Sequence, residues 1–139
     1  MLKQKEIKIM TNLETIENLY KAFAAGDVPN VLANMNKEII WNEAENFPYS
    51  DNNPYIGPQS VLEGVFARCM SEWEGFAANM TTIYDAGDNI IATGRYAGKN
   101  ILTGKEMSPQ AVHIWSLKNG EIVKFQQYID TLNVNNALN

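Results

Sequence analysis

Two predicted strands near the end of the chain place an imidazole and a carboxylate in apolar surroundings. These groups are the chain's only histidine, His113, and Asp130, in the aromatic-rich segments 111–117 and 121–131. An imidazole exchanges protons near neutral pH, and a carboxylate beside it can orient the ring or act as a base itself. We therefore interpret the pair as candidate acid–base groups. A hydrogen-bonded strand histidine and a capping aspartate are the alternative interpretation.

A second candidate carboxylate, Glu43, follows Trp41 by two residues in a predicted strand, so both side chains share a face. Apolar neighbours would raise the pKa of this carboxyl group by desolvation, which suits a general acid or base. A solvated strand edge is the alternative. Glu45 has the same alternation, and the pattern also leaves open whether Glu43 or Asp130 would be the base.

Large aromatic side chains recur along the chain and would select an apolar ligand wherever they border a cavity. Such residues more often build a core, and the pattern alone does not separate the two roles. The candidates for ligand contact are Tyr20, Trp41, Tyr55, Phe66, Trp73, Tyr96, Trp115 and Tyr128. Cys69 lies on the apolar face of a predicted helix and is expected to be a packed thiol.

The acidic balance of the chain excludes some classes of partner. The net charge is −5 and the pI is near 4.8, and the sequence has no basic stripe of the kind that binds nucleic acid or an anionic membrane. No segment reaches the roughly 20 apolar residues that span a bilayer, so we expect a cytoplasmic protein. One cysteine and one histidine do not form a metal-ligand pattern, so we expect neither a metal nor a cofactor.

The first part of the chain is predicted to be a helical hairpin, in a single domain over residues 11–139 that follows a tail of residues 1–10. Thr11 and Glu14 have the spacing of a capping box at the start of the first helix. Gly26 can close that helix, and Asp27 can cap a second, shorter one.

The rest of the chain predicts a strand over residues 39–43, within a segment of changed periodicity over 37–46, then a long loop up to Pro58, a helix over 59–73 and a four-stranded meander. The meander strands are residues 76–84, 89–98, 106–117 and 121–131. Asn119-Gly120 suits the last hairpin turn because both central positions need positive φ. Helices gathered against one face of an antiparallel sheet make an α+β fold.

Several segments resemble the nuclear transport factor 2-like superfamily. They are residues 19–27 (LYKAFAAGD), 40–43 (IWNE), 94–98 (GRYAG) and 103–105 (TGK). The ending, residues 113–122 (HIWSLKNGEI) with 128–131 (YIDT), especially resembles its SnoaL-like polyketide cyclase and ketosteroid isomerase-related branch. The resemblance implies a cone-shaped curved sheet wrapped around the N-terminal helical hairpin and a third helix. It also implies an apolar pocket open at one end and a homodimer formed through the sheet.

The resemblance implies roles for the candidate residues as well. Glu43 falls where ketosteroid isomerases keep the aspartate that shuttles the proton, and His113 falls where they keep a protonated aspartate as an oxyanion donor. Asp130 resembles the acid–base aspartate of the SnoaL-like cyclases. Leu19 falls where the isomerases keep their oxyanion tyrosine, one residue before Tyr20. That donor is therefore expected to be missing or displaced, and steroid isomerisation is not expected.

These features lead to one functional hypothesis and two alternatives. The hypothesis is a cofactor-independent cyclase or isomerase that moves a proton next to a carbonyl group in a small apolar or polyketide-like ligand. One alternative is a protein of the same fold that binds its ligand without chemistry. The other is a dimeric scaffold, whose interaction surface would be the sheet face with Ile114, Ser116, Phe125 and Gln127. Convergence of the three acid–base candidates on one cavity would favour the enzyme.

Overall fold

A curved, open sheet of seven strands is the frame of the computed structural model, which describes residues 9–139. The strands are β1 (Met35–Asn42), β2 (Tyr55–Ile56), β3 (Trp73–Ala86), β4 (Asn89–Asn100), β5 (Glu106–Met107), β6 (Gln110–Lys118) and β7 (Glu121–Ile129). They lie in the order β2-β1-β7-β6-β4-β3, with β5 beside β4. The β1–β7 pair is parallel and the other pairs are antiparallel. Residues 1–8 of the predicted tail lie outside the described residues.

Helices pack against this sheet. They are α1 (Asn12–Ala24), α2 (Val28–Leu32), α3 (Pro58–Val61), α4 (Ala67–Glu72) and α5 (Thr131–Leu138), and a π-helical segment, Leu62–Phe66, joins α3 to α4. Helix α1 contacts β3 and β4, and α3 contacts β1. The predicted α+β class is therefore confirmed, and the arrangement is consistent with the cone. Within residues 9–139, no helix is long and apolar enough to cross a membrane.

The predicted helical hairpin is present, with both caps formed. Thr11 accepts a hydrogen bond from the Glu14 backbone N–H at 3.1 Å, and the Glu14 carboxylate accepts one from the Thr11 backbone N–H at 3.3 Å. Gly26 has a φ of +70°, which allows the chain to turn sharply between α1 and α2. Asp27 caps α2 through the Asn30 backbone N–H. These caps fix the direction of α1, the helix that carries Tyr20 to the centre of the molecule.

The π-helical segment packs closely against Tyr55. A Cβ at Gly64 would lie 2.2 Å from the Tyr55 ring, so only glycine allows this approach. The predicted close packing at Gly64 is therefore confirmed. A π-helical turn shifts the register of the helix, and here both Val65 and Phe66 are buried.

The last hairpin confirms the predicted turn but differs from the prediction at both ends. Asn119 and Gly120 have φ values of +52° and +78°, as a two-residue turn requires. The predicted strand over 106–117 is interrupted at Pro109, which has no N–H to donate to a neighbouring strand. The chain after Ile129 leaves the sheet and forms α5, a helix that the prediction did not include.

Candidate active site

A cavity lies between α1, the π-helical segment and the inner face of the sheet. It offers about 40 Å³ of space to the centre of a water molecule, more than the roughly 10–15 Å³ that one water needs. Its lining is almost entirely apolar, and it consists of Leu19, Tyr20, Phe23, Trp41, Glu43, Phe47, Val65, Phe66, Cys69, Phe76, Ala78, Tyr96, His113, Trp115, Phe125 and Gln127. Two of the three acid–base candidates, His113 and Glu43, therefore line one cavity.

Strand register decides which residues of β6 and β7 face this cavity. His113 lies opposite Gln127, and Trp115 lies opposite Phe125. The register shifts by one residue just after the turn, because Leu117 pairs with Ile122 whereas Ser116 pairs with Lys124. Such a bulge moves the following side chains to the opposite face.

The scaffold surface proposed from the sequence is therefore wrong in two of its four residues. Without the bulge, Phe125 would share a face with Ile114. With the bulge, Phe125 and Gln127 are both buried and line the cavity. Ile114 and Ser116 lie on the other, partly exposed face of the sheet.

His113 is the centre of a chain of polar side chains. Its Nδ1 lies 2.6 Å from the Tyr20 hydroxyl oxygen, and its Nε2 lies 2.5 Å from the Tyr96 hydroxyl oxygen. The Trp115 indole N–H donates to Tyr20 at 2.9 Å, and the Gln127 amide donates to Tyr96 at 3.0 Å. Both ring nitrogens of His113 are therefore occupied by protein groups.

Burial controls the protonation of this chain. Desolvation lowers the pKa of His113 to about 3, so the imidazole is neutral at physiological pH. Desolvation also raises the pKa of Tyr20 and of Tyr96 above the usual tyrosine value, so both phenols keep their protons. Tyr20, one residue after Leu19 on α1, lines the cavity.

Glu43 lies at a different point on the cavity wall and in a different state. Desolvation raises the pKa of its carboxyl group to about 8, against smaller lowering effects of the Trp41 indole and of Arg68. The Trp41 N–H itself makes no hydrogen bond of normal geometry within residues 9–139. The Glu43 backbone is clamped by Asn53, whose side chain accepts from the Glu43 N–H at 3.0 Å and donates to the Glu43 carbonyl at 2.8 Å. The backbone is therefore fixed, and the carboxyl group lies at the cavity wall beside the Trp41 indole.

Asp130 does not reach the cavity, and its predicted pairing with His113 is wrong. Its side chain accepts a hydrogen bond from the Asn133 backbone N–H at 3.3 Å and caps α5. The strand ends one residue earlier, at Ile129, so the alternation that would have aimed Asp130 at a ligand does not apply. Glu45, which the pattern could not separate from Glu43, is exposed.

The aromatic candidates divide into two groups. Five of them line the cavity: Tyr20, Trp41, Phe66, Tyr96 and Trp115. Three do not. Tyr55 is buried behind the π-helical segment and donates to the Tyr49 carbonyl at 2.6 Å, and Trp73 donates to the Tyr49 hydroxyl at 3.0 Å. Tyr128 is 54% exposed on the outer face of the sheet.

Sequence reasoning missed Gln127 as a member of the site. Its amide oxygen accepts from the Ala44 backbone N–H at 3.0 Å, so it joins the segment just after β1, which carries Glu43, to the Tyr96 end of the polar chain. A polar residue between apolar neighbours in β7 was the available signal. Because of the one-residue shift at the bulge, the alternation of the sequence did not show that Gln127 faces the cavity.

Phe47 closes the cavity on the side of the long loop. A short 3₁₀ helix, Pro48–Asn52, follows it and is held by a two-bond ion pair between Asp51 and Arg68, at 2.9 and 3.1 Å. Arg68 also lies over the Tyr49 ring, 4.3 Å from its centre. Within residues 9–139, no three His, Cys, Asp or Glu side chains are placed to hold a metal ion.

Comparisons with known proteins agree with this architecture. An NTF2-like protein of Burkholderia thailandensis is 31% identical over 94% of this chain and 99% of its own, with a TM-score of 0.90. A putative SnoaL-like polyketide cyclase from Jannaschia is 16% identical, with 96% of each chain covered and a TM-score of 0.77. A protein from Catenulispora acidiphila with a ketosteroid isomerase-like fold, in complex with trimethylamine, is 16% identical over 92% of this chain and 93% of its own, with a TM-score of 0.75.

The last two likenesses show the fold alone. No curated protein matched the chain. The family model of the SnoaL-like domain matches residues 16–125, most of the chain. The chain belongs to the SnoaL-like domain family, within the NTF2-like fold that polyketide cyclases and ketosteroid isomerases share.

Proposed function

We propose that this chain binds a small, mostly apolar carbonyl compound and moves a proton at the carbon next to the carbonyl group, without a cofactor. The observation that carries the proposal is one apolar cavity with a buried carboxyl group of raised pKa, Glu43, and a separate pair of phenol hydroxyls, Tyr20 and Tyr96. Proton transfer next to a carbonyl needs a base at carbon and a hydrogen-bond donor at oxygen.

Glu43 is the base in this proposal. In its ionised form it takes the proton from the carbon, the C–H electrons form a C=C bond, and the carbonyl π electrons move to oxygen. The oxygen electrons then re-form the C=O bond as carbon is reprotonated by Glu43. If the carboxyl proton has first exchanged with solvent, its return to the same carbon gives isotope exchange, and its return to another carbon gives isomerisation. A base with a pKa close to the working pH suits both half-reactions.

One tyrosine hydroxyl, from Tyr20 or Tyr96, stabilises the oxygen on which charge develops. His113 makes no hydrogen bond to the ligand, because both its ring nitrogens are hydrogen-bonded to Tyr20 and Tyr96. It holds the two phenols in place instead, which changes the role that the resemblance implied for it. A donor placed in advance at a developing oxyanion lowers a barrier by roughly 3–4 kcal/mol in measured cases.

Binding without chemistry is the second candidate, and the protonation state of Glu43 favours it. With a pKa of about 8, the carboxyl group is mostly neutral at pH 7. The cavity is then uncharged and lined by aromatic side chains, which suits a neutral ligand. Proton exchange separates the two candidates, because both predict binding and only the first predicts exchange.

Hydrogen–deuterium exchange at the α-carbon of small cyclic ketones tests the enzyme. We expect the protein to accelerate exchange in deuterated water, measured by proton NMR, with a rate that rises about tenfold per pH unit below pH 8 and is level above it. Glu43→Gln should lower the rate by roughly 100-fold or more, as loss of a general base does. Glu45→Gln, the same change on an exposed neighbour, is the matched control and should leave it unchanged.

Two results would contradict the catalytic proposal. One is exchange that survives Glu43→Gln, because the base would then be another group. The other is a ketone that binds, as seen by NMR, and exchanges no faster than in buffer. The second result would instead support binding without chemistry.

A homodimer through the outer face of the sheet is the assembly we propose. Tyr128 and the partly exposed Ile114 lie on that face, opposite the cavity. Light scattering at micromolar concentration should give twice the monomer mass, and Tyr128→Glu should give the monomer mass. A wild-type monomer would contradict the dimer.

A further inference from the structure

The polar chain in the cavity has a fixed direction at each end. The Trp115 indole N–H can only donate, so Tyr20 accepts from it. The Gln127 amide oxygen accepts from the Ala44 backbone N–H, which turns the amide nitrogen toward Tyr96. Both phenol oxygens therefore accept a hydrogen bond from outside the Tyr20–His113–Tyr96 chain.

A count of hydrogen atoms then leaves one without an acceptor. Neutral His113 has one N–H, the two phenols have two O–H groups, and the indole and amide supply two more hydrogens, but these five share only four hydrogen bonds. One tyrosine donates to the bare ring nitrogen. The other accepts from the ring N–H, and its own hydroxyl hydrogen has no partner among residues 9–139. A charged imidazole would leave two such hydrogens instead of one.

We infer that the ligand supplies the missing acceptor, and that the tautomer of His113 decides whether Tyr20 or Tyr96 presents the hydroxyl to it. His113 is thus a positioning residue. The two tautomers differ in which ring nitrogen carries the hydrogen and in the rotation of both phenol O–H groups, so an acceptor near one tyrosine selects one of them. This inference deepens the proposed function and rests on it for the place of the ligand, but it does not require turnover.

The rest of the cavity wall points to the same chemistry. Among residues 9–139 the buried Trp41 N–H makes no hydrogen bond of normal geometry, although it lowers the pKa of the Glu43 carboxyl group, and neutral Glu43 also carries a hydrogen. No Lys or Arg is among the lining residues, so an anionic ligand would lose its hydration without gaining a cation. The ligand class is therefore a neutral, apolar compound with acceptor oxygens and no donor groups of its own.

A set of three near-isosteric compounds tests this class directly. Cyclopentanone has a carbonyl acceptor, methylenecyclopentane replaces the oxygen by CH₂, and cyclopentanol adds a donor. We expect cyclopentanone to bind about tenfold or more tighter than each of the others, after correction for their partition into water, since one hydrogen bond contributes about that ratio. Equal affinity for cyclopentanone and methylenecyclopentane would overturn the inference.

The His113 ring provides a second readout that needs no variant. Because the chain has one histidine, ¹⁵N-histidine labelling of untagged protein reports that ring alone. Bound cyclopentanone should move the Nδ1 and Nε2 resonances in opposite directions, as one tautomer is selected, whereas bound methylenecyclopentane should leave them in place. Unchanged nitrogen resonances with cyclopentanone bound would overturn the role of His113.

Variants then identify the tyrosine that presents the hydroxyl. Tyr20→Phe or Tyr96→Phe should reduce the preference for cyclopentanone, and Tyr128→Phe, the same change on the outer face, should not. Preference unaffected by both cavity variants would contradict the inference. Selective binding without α-exchange would refute the proposed catalysis alone, and α-exchange without selective binding would refute this inference alone.

Discussion

Glu43 and His113 occupy the same cavity and are both kept neutral by burial, yet the protein treats them in opposite ways. Desolvation raises the pKa of Glu43 to about 8 and lowers that of His113 to about 3. The imidazole is held at both nitrogens by Tyr20 and Tyr96. Among residues 9–139 the Glu43 carboxyl group makes no hydrogen bond of normal geometry, although the Trp41 indole lowers its pKa, and Asn53 holds the Glu43 backbone.

The difference separates two kinds of buried polar group. A group whose hydrogen bonds are all made within the protein supports the structure and orients its neighbours. A group left with unused capacity in an apolar cavity destabilises the fold when it is charged, and is available to a ligand. This comparison supports our proposal that Glu43 is the reactive group and that His113 acts through the tyrosines.

The largest expected effect is on the pH dependence of stability at Glu43. The folded state holds this proton up to pH 8, whereas the unfolded state loses it near pH 4.5. The free energy of unfolding should therefore fall as pH rises between these values, by up to about 4–5 kcal/mol. Glu43→Gln should remove that fall, and Glu45→Gln should keep it. Urea unfolding from pH 5 to pH 9 measures the free energy of unfolding at each pH. Parallel pH dependences for wild type and Glu43→Gln would show that Glu43 does not have a raised pKa in the folded state.

His113 should show the opposite dependence and a large loss on truncation. Its folded pKa of about 3 lies below the unfolded value of 6.5, so wild-type stability should fall as pH drops through this window. At pH 7, His113→Leu should lower the free energy of unfolding by roughly 2–4 kcal/mol, because two phenol hydroxyls lose their partner. Chemical denaturation checks both statements. A variant as stable as wild type at pH 7 would show that the polar chain does not support the fold.

Gln127 links Tyr96 to the backbone next to Glu43, and its replacement should have an intermediate effect on stability. Gln127→Leu leaves the Ala44 backbone N–H without its buried acceptor and Tyr96 without a donor. We expect a loss of roughly 1–3 kcal/mol in the free energy of unfolding. We also expect a change in the ¹⁵N resonances of His113, because the preference between its tautomers is altered. A loss of stability without any change in the His113 resonances would show that Gln127 does not influence the Tyr20–His113–Tyr96 hydrogen-bond chain.

Replacement of Asp130 should have the smallest effect on stability and no effect on α-exchange. As the cap of α5, its replacement by alanine should cost about 1 kcal/mol of stability. The α-exchange rate per folded molecule should equal that of wild type, because the side chain lies outside the cavity. A large loss of exchange in Asp130→Ala, measured at a temperature where the variant is folded, would return Asp130 to the candidates for the base.

The sequence was sufficient wherever local chemistry decides the structure. Thr11 with Glu14 predicted the start of α1, Asn119 with Gly120 predicted the hairpin, and Glu43 beside Trp41 predicted a carboxyl group on an apolar face. In each case the residues that interact lie within a few positions of one another. Their preferred conformations can therefore be predicted without the rest of the chain.

The parts of the site that the sequence did not predict depend on contacts between residues that are distant in sequence. The bulge after Leu117 put Gln127 opposite His113, and neither strand's alternation reveals a one-residue shift. Tyr96 reaches the same ring from β4, and Tyr20 reaches it from α1, more than ninety positions away along the chain. Asp130 was misplaced because the chain leaves the sheet one residue before it.

A titration of the Glu43 carboxyl group tests the central claim most directly. Glutamate labelled with ¹³C at the side-chain carboxyl carbon, with Glu43→Gln to assign the resonance, gives its pKa by NMR. The account predicts a midpoint near pH 8, with a shift to a different value when cyclopentanone fills the cavity. A midpoint near the ordinary glutamate value of 4.5 would mean that the carboxyl group is hydrated and charged at neutral pH, and would contradict the account.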